Sequence, residues 1–329
     1  MRPSSVLKWD SSIIGKGTIS LRTARLALGG LVVAWLTTAA LPAQDASPSP
    51  YEQRSDLVYG EVHGTGLLMD VFAPKQKANG LGIIDVVSGA YYSDRNKIRD
   101  HMLAQVYTIF CSHGYTVFAI RPGSRTRYTC LEMDGHVKTG IRYVKAHASE
   151  YKIDPEQLGI TGASAGGHLA TLAAVTPQEG NPDAKSPTLR FSTSVKAAAV
   201  FFPPTDFLDW NGKPADFQTL GDLFFLGGIK GHSADEVEAR AREISPARLV
   251  KGLPIPFLLI HGDADPLVPL QQSRKMVEVL KAANGSAELI VKKGGGHPWM
   301  TISEEVRIMA DWFDHNLGEV PGTVPASRP

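Results

Sequence analysis

Gly162-Ala163-Ser164-Ala165-Gly166, followed by Gly167, lies where one apolar pattern gives way to another. Residues 157–162 (QLGITG) read as a buried strand, and 165–174 (AGGHLATLAA) read as a buried helix. A turn tight enough to leave a serine hydroxyl standing above a sheet needs nearly absent side chains around it. Gly, Ala, Ala, Gly and Gly at 162, 163, 165, 166 and 167 satisfy that demand. The amide after the serine then opens the helix and is free to donate to an oxyanion. Strand, G-x-S-x-G and helix in this order point to Ser164 as a nucleophile.

A serine hydroxyl is a weak nucleophile until a base takes its proton and a carboxylate holds that base in the right tautomer. Two later segments supply both. The apolar run 255–261 leads into Gly262-Asp263-Ala264-Asp265-Pro266, and the run 288–292 leads through Gly294-Gly295-Gly296 into His297. Along the chain the order is Ser164, Asp265, His297. Asp263 reads as a turn former that accepts local backbone amides. His168, four residues beyond Ser164, is the nearest rival base and is expected to point into the packing beneath the turn. His261 ends a buried strand and reads as structural.

Outward from these segments, strands are expected at 56–62, 66–72, 81–88, 115–120, 157–162, 195–202, 255–261 and 288–292. Most are continuous apolar runs, as required where both faces of a sheet are covered. Helical spacing links Met133, Val137, Ile141 and Val144 within 131–152, and Ile302, Val306, Met309, Ala310 and Phe313 in the last helix. Thr301 and Glu304 have the spacing of a capping box at its start. The fold class is therefore α/β, a mostly parallel doubly wound sheet whose binding site lies outside the strands' carboxyl ends. One connection, 203–254, is far longer than usual and scatters Phe207, Trp210 and Phe217 among glycines and prolines. Its expected role is a lid or substrate wall.

The region 56–317 resembles the α/β-hydrolase-fold esterases and lipases. Ile153-Asp154-Pro155 through the Ser164 turn to Ala170 is similar to that family's nucleophile region, and His261-Gly262-Asp263-Ala264-Asp265-Pro266-Leu267-Val268-Pro269 is similar to its acid loop. The resemblance implies an α/β-hydrolase fold and favours Asp265, three residues before the Val-Pro pair, over Asp263. It also implies two oxyanion donors, Ala165 and an amide from the loop after strand 81–88. Where the esterase branch carries His-Gly-Gly-Gly, this chain reads Ser88-Gly89-Ala90-Tyr91-Tyr92. The second donor is assigned to Ala90, with Tyr91 next, at a cost on the order of 1 kcal/mol if alanine must take a positive φ. Tyr91, Tyr92, Phe207 and Trp210 are the expected substrate-contact residues. The implied activity is hydrolysis of carboxylic esters through an acyl-enzyme, on short acyl groups such as acetyl or aryl esters of polysaccharides. A prolyl-oligopeptidase-like peptidase and a non-catalytic hydrolase-fold binding module are the alternatives.

Composition limits the other classes. With 34 Lys plus Arg against 33 Asp plus Glu, the net charge of +1 gives no field to gather nucleic acid. No phosphate-binding loop, dinucleotide fingerprint or zinc motif is present in the sequence, so neither a cofactor nor a metal is expected. Cys111 and Cys130 fall on opposite ends of strand 115–120, about 20 Å apart, and are expected to be free thiols. Residues 1–25 are basic and the apolar stretch 26–41 is too short to span a bilayer. Residues 1–43 are thus expected to be a secretory signal, cleaved near Ala40 or Ala43, or retained as an anchor. A linker is expected over 44–55 and a disordered tail over 318–329. The mature chain is expected to be secreted or periplasmic, with no membrane span once the signal is removed. Its partner would be a small-molecule or polysaccharide ester.

Overall fold

The computed structural model describes residues 49–252 and 254–318. The expected signal segment, the first part of the linker and residues 319–329 lie outside them. All eight expected strands form: β1 (Tyr51–Val62), β2 (Thr65–Pro74), β3 (Gly82–Val86), β4 (Thr116–Arg121), β5 (Leu158–Ala163), β6 (Ala197–Phe201), β7 (Phe257–Gly262) and β8 (Ala287–Lys292). Between and after them run α1 (Arg95–Leu103), α2 (Val106–Ser112), α3 (Cys130–Ala146), α4 (Ala148–Tyr151), α5 (Ala165–Val175), α6 (Ala234–Glu243), α7 (Leu270–Ala282) and α8 (Ile302–Asn316). The strands make one sheet in the order β1-β2-β4-β3-β5-β6-β7-β8. β1 pairs antiparallel with β2 and β2 with β4; every other pair is parallel. Parallel pairing brings the carboxyl ends of β3, β5, β6, β7 and β8 to one edge, and the catalytic candidates follow those ends.

Burial of both faces explains why the central strands are mostly apolar. Ile84, Phe118, Ile160, Val200 and Leu259 face one core with α3, α5 and α7, where Val137, Leu169 and Met276 meet them. Their neighbours Ile83, Val117, Ala199, Leu258 and Ile260 face the other core with α2 and α8, against Phe110, Met309 and Phe313. Each fully buried side chain of this size contributes roughly 1.5–3 kcal/mol, so both layers are energetically committed.

Three expectations are corrected. β1 begins at Tyr51, so residues 51–55 of the expected linker are strand. Their polar side chains lie exposed on the sheet edge, while Tyr51 packs edge-on against Phe72 at 5.1 Å and pairs with Pro74. An edge strand of this kind is indistinguishable from a loop by hydropathy. Secondly, the helix read over 131–152 breaks at His147, whose Nδ1 bonds the Tyr143 carbonyl at 2.8 Å. Thirdly, Thr301 makes no side-chain cap: its backbone is at φ −98°, ψ 20° rather than extended, and Glu304 instead approaches Lys292 at 3.3 Å. Cys111 and Cys130 are free, as expected, and both are buried. Among the described residues, no helix is long and apolar enough to cross a membrane.

Candidate active site

Ser164 stands between β5 and α5 at φ 54°, ψ −119°, a strained conformation costing about 1–3 kcal/mol that neighbouring contacts must hold. Three backbone bonds do so: Ser164 N–H to Phe201 O (3.0 Å), His168 N–H to Ser164 O (2.8 Å) and Gly166 N–H to Ser88 O (3.0 Å). The last requires contact that only glycine allows. A Cβ on Gly166 would lie 2.1 Å from the Val86 carbonyl oxygen, and one on Gly162 would lie 2.6 Å from the Gly166 backbone.

The structure brings Ser164, His297 and Asp265 together. Ser164 Oγ donates to His297 Nε2 at 2.8 Å, and His297 Nδ1 donates to Asp265 Oδ2 at 2.6 Å. The His297 side chain is 10% exposed and the Asp265 carboxylate is fully buried. Burial alone would raise the Asp265 pKa. The nearby His261 imidazole, 3.5 Å away, and hydrogen bonds from His297 and the amides of Val268 and Leu267 outweigh burial and hold it well below the usual carboxylate range. Asp265 is therefore an anion throughout the neutral range, aimed at the imidazole. His261 is structural: Ser273 donates to its Nδ1 at 2.7 Å and its Nε2 donates to the Val268 carbonyl at 2.9 Å. Asp263 is exposed and accepts the Gly294 amide at 2.6 Å, so it joins its turn to the loop after β8, 31 positions on, where a bond to a local amide was expected. The Phe202 ring backs the His297 ring at 4.3 Å, from a residue itself held at φ 33°.

Ala90 and Tyr91 sit at φ 49° and 63° in the centre of a two-residue turn closed by reciprocal bonds between Gly89 and Tyr92, both 2.9 Å. This is the hairpin geometry that normally asks for Asn or Gly. Ala165 is the first residue of α5, whose opening amide has no intrahelical acceptor. Among the described residues, nothing accepts a hydrogen bond from the Ala90, Tyr91 or Ala165 amides. Exposed Ala90 loses no packing on truncation, and glycine would relieve about 1–2 kcal/mol of left-handed strain against about 0.5–1 kcal/mol of added chain entropy. Ala90→Gly is therefore expected to leave stability unchanged or raise it by up to about 1.5 kcal/mol. Denaturant unfolding checks this; a clear loss would mean the methyl group is needed.

These groups border a cavity of about 900 Å³. Tyr92, exposed, and Trp210, half-buried, contribute to its wall. Tyr91 and Phe207 also border it, but Tyr91 is only 5% exposed and Phe207 is buried, stacked on Trp210 and edge-on to His168. Phe217 packs edge-on against Phe224 at 5.2 Å instead. The 203–254 insertion is thus a packed wall over the site. Sequence reasoning missed His101 of α1, which also lines the cavity. Its Nδ1 donates at 2.8 Å to Asp85, a carboxylate buried in β3 that also accepts from Tyr107 at 3.1 Å. Burial would lower the His101 pKa, but Asp85 outweighs it and raises it. No motif flags that pair, because its partners lie on different elements. Among the described residues, the three donors close enough to share a metal ion are His113, Asp311 and Asp314, none of which borders the cavity.

Residues 69–280 match the BD-FAE family. The chain is 30% identical over 234 residues to the probable carboxylic ester hydrolase LipM of Mycobacterium tuberculosis, covering 70% of this chain and 52% of that protein. It is 26% identical to the esterase LipQ of the same organism, covering 85% and 66%. The chain therefore spans about half to two thirds of the length of these curated relatives. Among solved structures, a truncated carbohydrate esterase from gut microbiota superposes with a TM-score of 0.70 at 25% identity, covering 82% of this chain and 98% of that one.

Proposed function

Because this chain belongs to the BD-FAE family, we propose that it is a serine carboxylic ester hydrolase. The reading is carried by the hydrogen-bonded line from Ser164 through His297 to buried Asp265. His297 takes the Ser164 proton as the oxygen attacks the ester carbonyl, and the imidazolium that forms is stabilised by Asp265. The Ala165 and Ala90 amides, with Tyr91 beside them, hold the oxyanion of the tetrahedral intermediate. Loss of one such donor typically raises the barrier by about 3 kcal/mol. His297 then protonates the departing alcohol, water enters, and the same base activates it to release the acid.

The substrate reading is a short acyl ester, acetyl or aryl, carried on a polysaccharide. Support comes from the similar carbohydrate esterase and from a cavity whose wall combines Trp210 and Tyr92 with polar groups. Export of the chain, from the basic and apolar character of residues 1–43, is part of the same proposal, since it would give access to polymers. The test is turnover of p-nitrophenyl acetate, followed by a panel of acetylated and feruloylated sugars. Release of p-nitroaniline from short peptides with no p-nitrophenyl acetate turnover would instead favour a peptidase.

Only a neutral imidazole can accept the serine proton, and Asp265, held well below the usual carboxylate range, stays an anion and adds no limb of its own to the pH profile near neutrality. The measurement is kcat/KM for p-nitrophenyl acetate against pH; two separate acid limbs between about pH 5 and 8 would contradict the reading of Asp265.

A further inference from the structure

We propose that Tyr91 is a positioning residue through which the 203–254 insertion sets the geometry of the oxyanion hole. The inference rests on the esterase reading above. Tyr91 occupies a left-handed conformation in the turn that supplies the second oxyanion donor, so something must hold it there. Two separate ties do, and both end on the insertion.

The first runs through the side chain. The Tyr91 hydroxyl is 2.9 Å from His168 Nδ1, and His168 Nε2 is 2.7 Å from the carbonyl oxygen of Ile244, the residue that ends α6. A carbonyl only accepts, so the imidazole hydrogen sits on Nε2, Nδ1 must accept, and the phenol must donate. Burial pushes the His168 pKa down to about 4, which keeps the ring neutral and this polarity fixed. The second tie runs through the backbone. Tyr91 O accepts the Arg125 amide at 2.8 Å, and the Arg125 guanidinium grips Asp222 (Nε to Oδ2 2.7 Å) and the Thr219 carbonyl (2.8 Å). Thr219, with Leu220, also lines the cavity.

One strained residue is thus held from both ends by the segment that walls the substrate site. Oxyanion donors act only when they meet the developing charge at hydrogen-bond distance, and displacement by a fraction of an ångström is costly. Loosening either tie should therefore weaken transition-state binding more than ground-state binding.

The experiment uses the full chain with Tyr91→Phe, which keeps the ring and removes the donor, and Asp222→Asn, which releases the guanidinium from a partly exposed partner. Each is expected to lower kcat for p-nitrophenyl acetate about 10-fold or more, with KM within about twofold. The inhibition constant of a trifluoromethyl ketone, which forms a hemiketal oxyanion on the serine, should rise in proportion to the loss in kcat. Rates are expressed per active site counted by burst titration, which removes any misfolded fraction. Variants with wild-type kcat and ketone affinity per site would overturn the inference while leaving the esterase reading intact. A wild type that neither turns over the ester nor binds the ketone would remove both.

Discussion

Ser164→Ala is expected to lower kcat/KM for p-nitrophenyl acetate by about four decades or more, with the fold retained. In the proposed mechanism the hydroxyl oxygen forms the acyl bond, and its hydrogen bond is to His297 Nε2. Nothing in the core depends on it. The turn itself is held by backbone bonds to Phe201, His168 and Ser88, which alanine preserves. Alanine also tolerates φ 54° as well as serine does, so unfolding should shift by no more than about 0.5 kcal/mol. Retained activity with an intact fold would place the nucleophile elsewhere.

Asp265→Asn is expected to cost about 10³- to 10⁴-fold in kcat, and the reason is a matter of hydrogen placement. Asp265 Oδ1 accepts the amides of Leu267 and Val268 at 2.8 and 2.9 Å, so an asparagine here must turn its carbonyl oxygen toward them. Its NH₂ group then faces His297 Nδ1 and donates, which forces the imidazole hydrogen onto Nε2. The serine hydroxyl would meet an N–H where it needs a lone pair. Asp263→Asn should retain most activity, because the asparagine oxygen can still accept the exposed Gly294 amide. Steady-state kinetics on both variants, with unfolding curves, decide the matter; the reverse ranking would name Asp263 as the acid.

Much of the sheet was legible because parallel strands covered on both faces are apolar at nearly every position, and 158–163, 197–201 and 257–262 carry that pattern plainly. The triad was legible for a local reason at each point: small residues around Ser164, an acid before a Val-Pro pair, a histidine after three glycines. Capping shows where local reading stops. Thr129 and Glu132 form a full capping box that opens α3, Ser233 and Glu236 form another at α6, yet Thr301 and Glu304, with the same spacing, do not. The difference lies in the backbone of Thr301, at φ −98° and ψ 20° where Thr129 and Ser233 are extended, and spacing does not report it. The start of β1 was hidden because an exposed edge strand has no apolar signature. Likewise the ties of Tyr91 to His168 and Arg125 join residues 77 and 34 positions apart. Spacing carries no information about contacts of that range; only the fold does.

In the proposed mechanism Ser164 Oγ is the atom that attacks the ester carbonyl and becomes acylated. Incubating the protein with diethyl p-nitrophenyl phosphate and mapping the adduct by peptide mass spectrometry tests it directly. The expected result is a single diethylphosphoryl group on Ser164, formed in step with the loss of esterase activity and absent from Ser164→Ala. An adduct on another residue, or full loss of activity with Ser164 unmodified, would contradict it.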